Sequence, residues 1–206
     1  MRRLIAIVLF LLALTSCSYR TKYEDEPVKA ELATDGEVSD ELVGMVRMLT
    51  LNSPIIPEFD NITEAMEGCR DAVLYSMLME NYGKYTGDIE KLDAAVAEYP
   101  RMQITNFIPA REFEETVYSV FGGTRKVTNE SGRLFVYLDR VAGYTSVTIL
   151  DTEPVAVEIK TLFETENTYR MRFSCSSGSI TSPEYDAVFV KRDDGTVYFY
   201  SVTERE

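Results

Sequence analysis

The sequence of 206 residues contains no histidine and no tryptophan. Without histidine, Ser-His-Asp and Cys-His catalytic groups and histidine-based zinc sites are excluded. The Ser-x-x-Lys and Gly-x-Ser-x-Gly motifs are missing as well, and so are the phosphate-loop and calcium-loop patterns. We therefore expect no catalytic site, no metal and no cofactor.

Basic residues are scarce relative to acidic ones. The chain has 21 basic and 34 acidic residues, which gives a formal charge of −13. This balance disfavours nucleic acid as a partner and peripheral docking on anionic lipid headgroups. Apolar residues make up 45% of the chain, a share that is ordinary for a folded protein.

The first seventeen residues have the pattern of an export signal. Two arginines at positions 2 and 3 precede an unbroken apolar run over residues 4–14. A helix that spans a bilayer needs roughly 20 apolar residues, so this run is too short and fits the apolar region of a signal peptide instead. An N-terminal membrane anchor is the alternative interpretation.

The apolar run ends in Leu14-Thr15-Ser16-Cys17, which resembles the lipobox of bacterial lipoproteins. The resemblance implies cleavage between Ser16 and Cys17 and attachment of a diacylglycerol to the Cys17 sulfur. Such acyl chains would hold the protein on the extracytoplasmic face of a bacterial membrane. Ser18, the residue after the cysteine, is not an aspartate-type signal for retention in the inner membrane. An outer-membrane location therefore stays open beside the inner membrane. An ordinary secretory signal with an incidental cysteine is the alternative.

The rest of the chain divides into a tether and one domain. Residues 17–38 are polar and mostly acidic without a helical or strand period, so we predict the lipidated cysteine followed by a flexible acidic tether. A strand that pairs with the domain is the less favoured alternative. Residues 39–206 are predicted to form a single α+β domain, with helices within 39–123 and an antiparallel sheet within 133–203.

Four amphipathic helices are predicted from apolar residues spaced three and four apart. The residues expected at their N-terminal ends are Ser39, Asn61 or Thr63, Asp88 and Pro109. The stretch 108–122 resembles a segment of exported bacterial lipoproteins to which no function is assigned.

After residue 123 the period of the apolar residues changes from about 3.6 to 2, which predicts strands. The six candidate strands are 134–138, 144–150, 155–163, 169–175, 185–191 and 197–202. Their connections are too short for parallel crossovers, so the sheet should be an antiparallel meander of five to six strands. Helices followed by a curved meander occur in cystatin-like and NTF2-like cone folds, which serve here as an analogy only.

One strand register is predicted from the sequence. A three-residue loop at 165–167 would pair Phe163 with Tyr169 and Ile159 with Phe173, so that apolar residues share one face. A two-residue loop at 166–167 would mix the faces and is therefore disfavoured. The opposite face would carry the basic residues Lys160, Arg170 and Arg172. We interpret that face as solvated, with an anion site as the alternative.

Tyrosine is abundant, with 13 copies. Five lie on predicted strands and are candidates for lining a pocket on the concave face of the sheet: Tyr137, Tyr144, Tyr185, Tyr198 and Tyr200. The alternative is that these residues belong to the core edge and the surface. Cys69 and Cys175 fall on predicted apolar faces, which suits either a disulfide or two buried thiols.

Together these patterns predict a lipid-anchored, non-catalytic binding or interaction protein of the cell envelope. Its partner would be an envelope protein, a cell-wall fragment or an apolar small molecule. A hydrolase that uses paired carboxylates is the alternative, with candidates at Glu112, Glu114, Glu115, Asp139 and Asp151. A structural envelope component is a third.

Replacement of Cys17 by alanine should abolish lipidation, because the sulfur is the site of acylation. We expect an unprocessed precursor without the acyl mass, measured by mass spectrometry of the protein from membranes. A Cys17→Ala product cleaved to the same size as the wild type would contradict the lipobox assignment.

Overall fold

The computed structural model describes Tyr23 and residues 26–51, 53–123, 127–148 and 153–205. The export signal, Cys17 and the first part of the expected tether lie outside the described residues. The helices of the described part are α1 (Glu37–Leu49), α2 (Ile62–Glu80), α3 (Tyr82–Gly87), α4 (Ile89–Glu98) and α5 (Ala110–Phe121). None of these helices is both long and apolar enough to cross a membrane.

The strands of the described residues follow mainly after the helices, which confirms the predicted α+β class. They are β1 (Ala30–Glu31), β2 (Ile108–Pro109), β3 (Phe135–Leu138), β4 (Gly143–Ser146), β5 (Ala156–Glu164), β6 (Thr168–Ser177), β7 (Ile180–Thr181), β8 (Tyr185–Lys191) and β9 (Val197–Glu204). All pairs are antiparallel.

The strands form two sheets, whereas the sequence predicted one. The larger sheet has the order β1-β5-β6-β8-β9, with β7 paired to β6, and it contains the last four of the six predicted strands. The smaller sheet has the order β2-β4-β3. The prediction missed this separation because β2 is only two residues long and precedes α5, far from β4 in sequence.

Two predicted helix caps are confirmed. The Asn61 side chain accepts hydrogen bonds from the amides of Thr63 and Glu64, and Asp88 accepts one from the amide of Lys91. These bonds satisfy amides that have no partner within the helix.

The predicted start of α1 is wrong. The helix begins at Glu37, with Gly36 as its cap, and Ser39 lies inside its first turn. The Ser39 hydroxyl accepts a hydrogen bond from the Gly36 amide at 2.7 Å and donates one to the Gly36 carbonyl at 2.6 Å. A serine can therefore support a helix start from within the first turn. The sequence alone does not distinguish this role from that of an N-cap residue.

The second half of the expected tether is ordered, which corrects the prediction for residues 26–38. Strand β1 pairs with β5 at the sheet edge, with Ala30 opposite Glu164. The amides of Lys29 and Leu32 donate to the carbonyls of Glu164 and Leu162 at 2.7 and 2.8 Å. Over this stretch the structure therefore shows the alternative, a strand that pairs with the domain.

The hairpin of β5 and β6 corrects the predicted register. Thr165 donates its amide to the Thr168 carbonyl at 2.9 Å, so the loop has two residues rather than three. Phe163 consequently pairs with Arg170, not with Tyr169. The pair Ile159–Phe173 is nevertheless present, because a β-bulge at position 160 shifts the register by one residue. The bulge restores the apolar face that the short loop would otherwise disrupt.

Helices α1, α2 and α5 form a layer over one face of the larger sheet, where α1 packs on β5 and α5 on β9. Aromatic rings join this layer to the sheet: Phe59 meets Phe121 and Phe199 edge to face, at centroid distances of 5.6 and 5.9 Å. Phe189 stacks on Phe199 at 4.6 Å. These rings are buried, so they contribute both apolar burial and favourable ring geometry.

The two cysteines of the domain, for which the sequence left a disulfide open, are free thiols in this structure. Cys69 lies on α2 and Cys175 on β6, and both side chains are buried in the core. Burial raises the pKa of each thiol to about 12. Neither is a reactive thiolate at neutral pH, because a nucleophilic cysteine needs a lowered pKa.

Truncation of Phe199 should destabilise the domain strongly. Replacement by alanine removes the ring that contacts three other phenylalanines, and buried Phe→Ala changes cost about 3–5 kcal/mol. The free energy of unfolding from denaturant titration measures the effect. Val96→Ala, at an exposed position of α4, should change it by less than about 0.5 kcal/mol. A similar small loss for both variants would contradict the assigned role of the aromatic cluster.

Candidate functional site

The five tyrosines predicted to line one pocket are divided between the two sheets. Tyr144 lies on β4 and Tyr185 on β8, and both are fully buried. The Tyr185 hydroxyl accepts a hydrogen bond from the Ile56 amide at 3.1 Å, and the Tyr144 hydroxyl donates to the Asn129 side chain at 2.8 Å. Burial raises the pKa of both tyrosines. They are core residues with satisfied hydroxyls.

The other three tyrosines are partly exposed. Tyr137 packs on Tyr144 with ring centroids 5.1 Å apart. Tyr198 lies under the Arg192 guanidinium at 4.8 Å, and Tyr200 meets the Tyr23 ring edge to face at 5.0 Å. The last two share the end of β9, but the structure does not bring the five together around one cavity.

A groove of about 580 Å³, here called the α1–α2 groove, lies between the end of α1, the second half of α2 and the start of β5. Its lining is mainly apolar. The apolar members are Met48, Leu51, Ala72, Tyr75, Met79, Pro154, Val155 and Ala156. Met79 is 47% exposed although its side chain is long and apolar. A volume of this size is within the range of ligand sites in proteins.

Charged side chains stand around this groove. Arg47 comes from the last turn of α1, Glu80 from the last turn of α2, and Glu153 precedes β5. All three are exposed. The Ser76 hydroxyl donates to the Glu80 carboxylate at 3.0 Å, which orients that carboxylate along α2. The groove thus combines an apolar floor with two acidic groups and one basic group at its rim.

Sequence reasoning missed this groove. Met48 and Met79 lie outside the stripes that define the buried faces of α1 and α2. The signal available in the sequence was the position of two methionines off the apolar stripes, near helix C-termini. Methionine is favoured on adaptable binding surfaces. No pattern in the sequence indicates that residues 153–156 would close the third side.

The second candidate feature is the contact of the N-terminal segment with the β5–β6 hairpin. The Glu26 carboxylate accepts hydrogen bonds from the Thr165 hydroxyl at 2.6 Å and from the Asn167 side chain at 2.7 Å. The Arg170 guanidinium donates to the carbonyls of Tyr23 and Glu26. These contacts, here called the N-terminal clasp, hold the chain to the two-residue loop of the hairpin.

The clasp perturbs its own carboxylate. Burial acts to raise the pKa of Glu26, but the hydrogen bonds from Thr165 and Asn167 and the charge of Arg170 outweigh it. The pKa is therefore lower than the ordinary value of 4.5. The ionised carboxylate is the form that the clasp binds.

The three basic residues considered as an anion site are only partly brought together. Lys160 is the bulged residue of β5 and pairs with Glu158 at 2.6 Å. Arg172 pairs with Asp186 at 3.0 Å, on the sheet face opposite the helices. Arg170 lies beside Arg172 on β6 and, in the described part of the chain, no carboxylate lies within ion-pair distance of it.

The carboxylates considered for catalysis are dispersed. Glu112 bonds Lys84 at 2.6 Å and Tyr85 at 2.8 Å, Glu114 accepts from Asn129 at 2.7 Å, and Glu115 pairs with Arg111 at 2.9 Å. Asp139 accepts from the Tyr99 hydroxyl, and Asp151 lies outside the described residues. Burial acts to raise the pKa of Glu112, but the bonds from Lys84 and Tyr85 lower it overall. Each described carboxylate thus has a local structural partner.

No group of three or more Cys, Asp or Glu side chains within the described ranges is arranged to hold a metal ion. No protein-family model, curated protein sequence or solved structure matches the chain. Only the geometry of the α1–α2 groove and of the N-terminal clasp therefore supports a function for this chain.

Loss of the Glu26 charge should loosen the clasp. Glu26→Gln removes the charge assistance of its hydrogen bonds, and we expect hydrogen exchange of the Lys29 and Leu32 amides to accelerate about fivefold. Glu31→Gln, an exposed position in the same segment, is the matched control and should leave the rates unchanged.

Acid should have the same effect on the wild type. Because the pKa of Glu26 is lowered by docking, the clasp is favoured above the ordinary glutamate pKa and is lost as pH falls through the docked-state value. Exchange at Lys29 and Leu32, corrected for the intrinsic pH dependence, should therefore rise below pH 4.5 in the wild type and not in Glu26→Gln. Parallel pH profiles for the two proteins would contradict this role of the carboxylate.

Proposed function

We propose that this chain is a lipid-anchored, non-catalytic binding protein of the bacterial cell envelope. In this proposal Cys17 carries the acyl anchor and the α1–α2 groove takes an apolar segment of a partner protein. The observation that carries the binding function is the groove itself, with exposed Met79 beside Leu51 and Tyr75 at its floor. The export pattern of residues 1–17 supports the location.

The chemistry of the groove favours a segment with apolar and basic residues. Apolar side chains of a partner would be removed from water against the methionines, which adapt to differently shaped partners. Glu80 and Glu153 outnumber Arg47 at the rim, and the whole chain has a formal charge of −13. Basic residues beside the apolar ones would therefore be attracted during approach and paired after binding.

A hydrolase remains the second candidate, because Glu80 and Glu153 line the same groove. A glycoside hydrolase needs one carboxylic acid that stays protonated in an apolar enclosure and a second that is ionised. Both glutamates are exposed at the rim, and neither is enclosed by the apolar floor. The groove therefore supports binding better than acid–base chemistry.

Binding can be tested with two peptide panels. The first panel carries paired Leu, Ile or Phe residues flanked by lysines, and the second has the same apolar residues flanked by glutamates. Purified full-length protein should bind members of the lysine panel, with a salt-dependent Kd measured by fluorescence anisotropy. Members of the glutamate panel should bind at least tenfold more weakly.

Two variants locate the binding to the groove. Met79→Lys places a charge on the apolar floor and should weaken binding of the lysine panel at least tenfold. Val96→Lys, an equally exposed apolar position on α4, is the control and should bind like the wild type. Absence of binding by both panels, or equal loss in both variants, would contradict the proposal.

A further inference from the structure

The larger sheet has a second face, opposite the helix layer. Side chains alternate along a strand, so the register places Arg170 between Phe163 of β5 and Val188 of β8 on this face. Arg172 lies beside Arg170 and pairs with Asp186. These five side chains line a shallow groove of about 260 Å³. We call this surface the outer sheet face.

The outer sheet face differs in charge from the chain as a whole. Its groove carries two arginines and one aspartate, whereas the chain has a formal charge of −13. The excess of acidic residues therefore lies outside this groove. Repulsion from anionic lipid headgroups is consequently weaker at the groove than the net charge alone implies.

The N-terminal clasp connects this face to the expected anchor. Tyr23 lies on it, with its ring against Tyr200 and its carbonyl bonded to Arg170. Only five residues lie between Cys17 and Tyr23, and six fully extended residue steps span about 20 Å at most. A flexible tether of about 20 residues, as expected from the sequence, would have left the orientation of the domain free.

We infer that the outer sheet face is the surface that this protein turns toward the membrane, with Arg172 against the phosphates of lipid headgroups. The inference rests on the proposed lipid anchor at Cys17. Arginine forms planar, paired hydrogen bonds with phosphate. Arg172 can offer such bonds, because its ion pair with Asp186 is partly exposed and exposed pairs are weak. Arg170 is already bonded to the carbonyls of Tyr23 and Glu26. The apolar side chains of Phe163 and Val188 suit the less polar layer below the phosphates.

Fluorescence quenching in vesicles tests this orientation. Acylated full-length protein is reconstituted into vesicles of phosphatidylcholine and phosphatidylglycerol that contain a lipid with a nitroxide headgroup. A fluorophore is attached to a cysteine introduced at Thr203, which borders the outer sheet face opposite Asp186, or at Val96 on α4. The native Cys69 and Cys175 are buried and do not compete for the label. We expect the label at 203 to be quenched at least threefold more than the label at 96.

A second pair of variants tests the contact between Arg172 and the lipid phosphates. Arg172→Gln should reduce the quenching of the label at 203 at least twofold. Arg111→Gln is the matched control, since Arg111 is an exposed, ion-paired arginine on α5, and it should leave the quenching unchanged. Equal quenching for wild type, Arg172→Gln and Arg111→Gln would overturn the phosphate contact.

The mass of the reconstituted protein distinguishes a failure of the proposed orientation from a failure of the proposed lipid anchor. Equal quenching at 203 and 96 in protein that carries the acyl mass would overturn the orientation and leave the lipid anchor standing. Protein isolated without the acyl mass would overturn the anchor, and the orientation that depends on it falls with it.

Discussion

The burial of a single face of the larger sheet is the constraint on which the remaining structure depends. Phe173, Phe189 and Phe199 lie on this face under the helix layer and are buried. Their burial favours the observed register of β6, β8 and β9, because a slip of one residue would move each set of apolar side chains to the other face. The bulge at Lys160 is the clearest consequence, since it keeps Ile159 opposite Phe173 despite the two-residue loop.

The same constraint leaves two exposed edges, and both are covered. Strand β1 pairs with the free edge of β5. At the opposite edge, Phe59 and Val202 exchange two backbone hydrogen bonds of 2.9 Å. Each cover is only one or two residues long, so it occupies part of an edge that would otherwise be open to pairing with another chain. The N-terminal segment is therefore part of the fold and not only a connection to it.

The sequence predicted the elements that have a repeating pattern of their own. The apolar period identified α2, α4, α5 and the strands of the meander, and strand 185–191 was predicted with its observed bounds. Asn61 and Asp88 were recognised because capping is a local interaction between neighbours in sequence.

Features that depend on distant partners were not predicted. Strands β1 and β2 have two residues each, too few for any period, and they exist only because β5 and β4 offer an edge. The groove depends on α1, α2 and residue 153 meeting in space. The docking of Glu26 depends on Asn167, which lies 141 positions later. No local pattern encodes such pairs, so a single sequence gave an acidic tether where the structure has a clasp.

Strand β5 relates the two candidate surfaces to each other. The groove lies at its Ala156 end and the clasp at its Glu164 end, and nine residues of strand hold the two about 26 Å apart. β5 is paired with β6 from Ala156 to Glu164, and a strand held in a sheet is a stiff spacer, so the position of one end determines the position of the other. If the protein is anchored at Cys17, as proposed, and the clasp end therefore lies close to the membrane, the groove is presented at the other end of the strand. Anchoring and partner binding would then use different surfaces and would not compete for space.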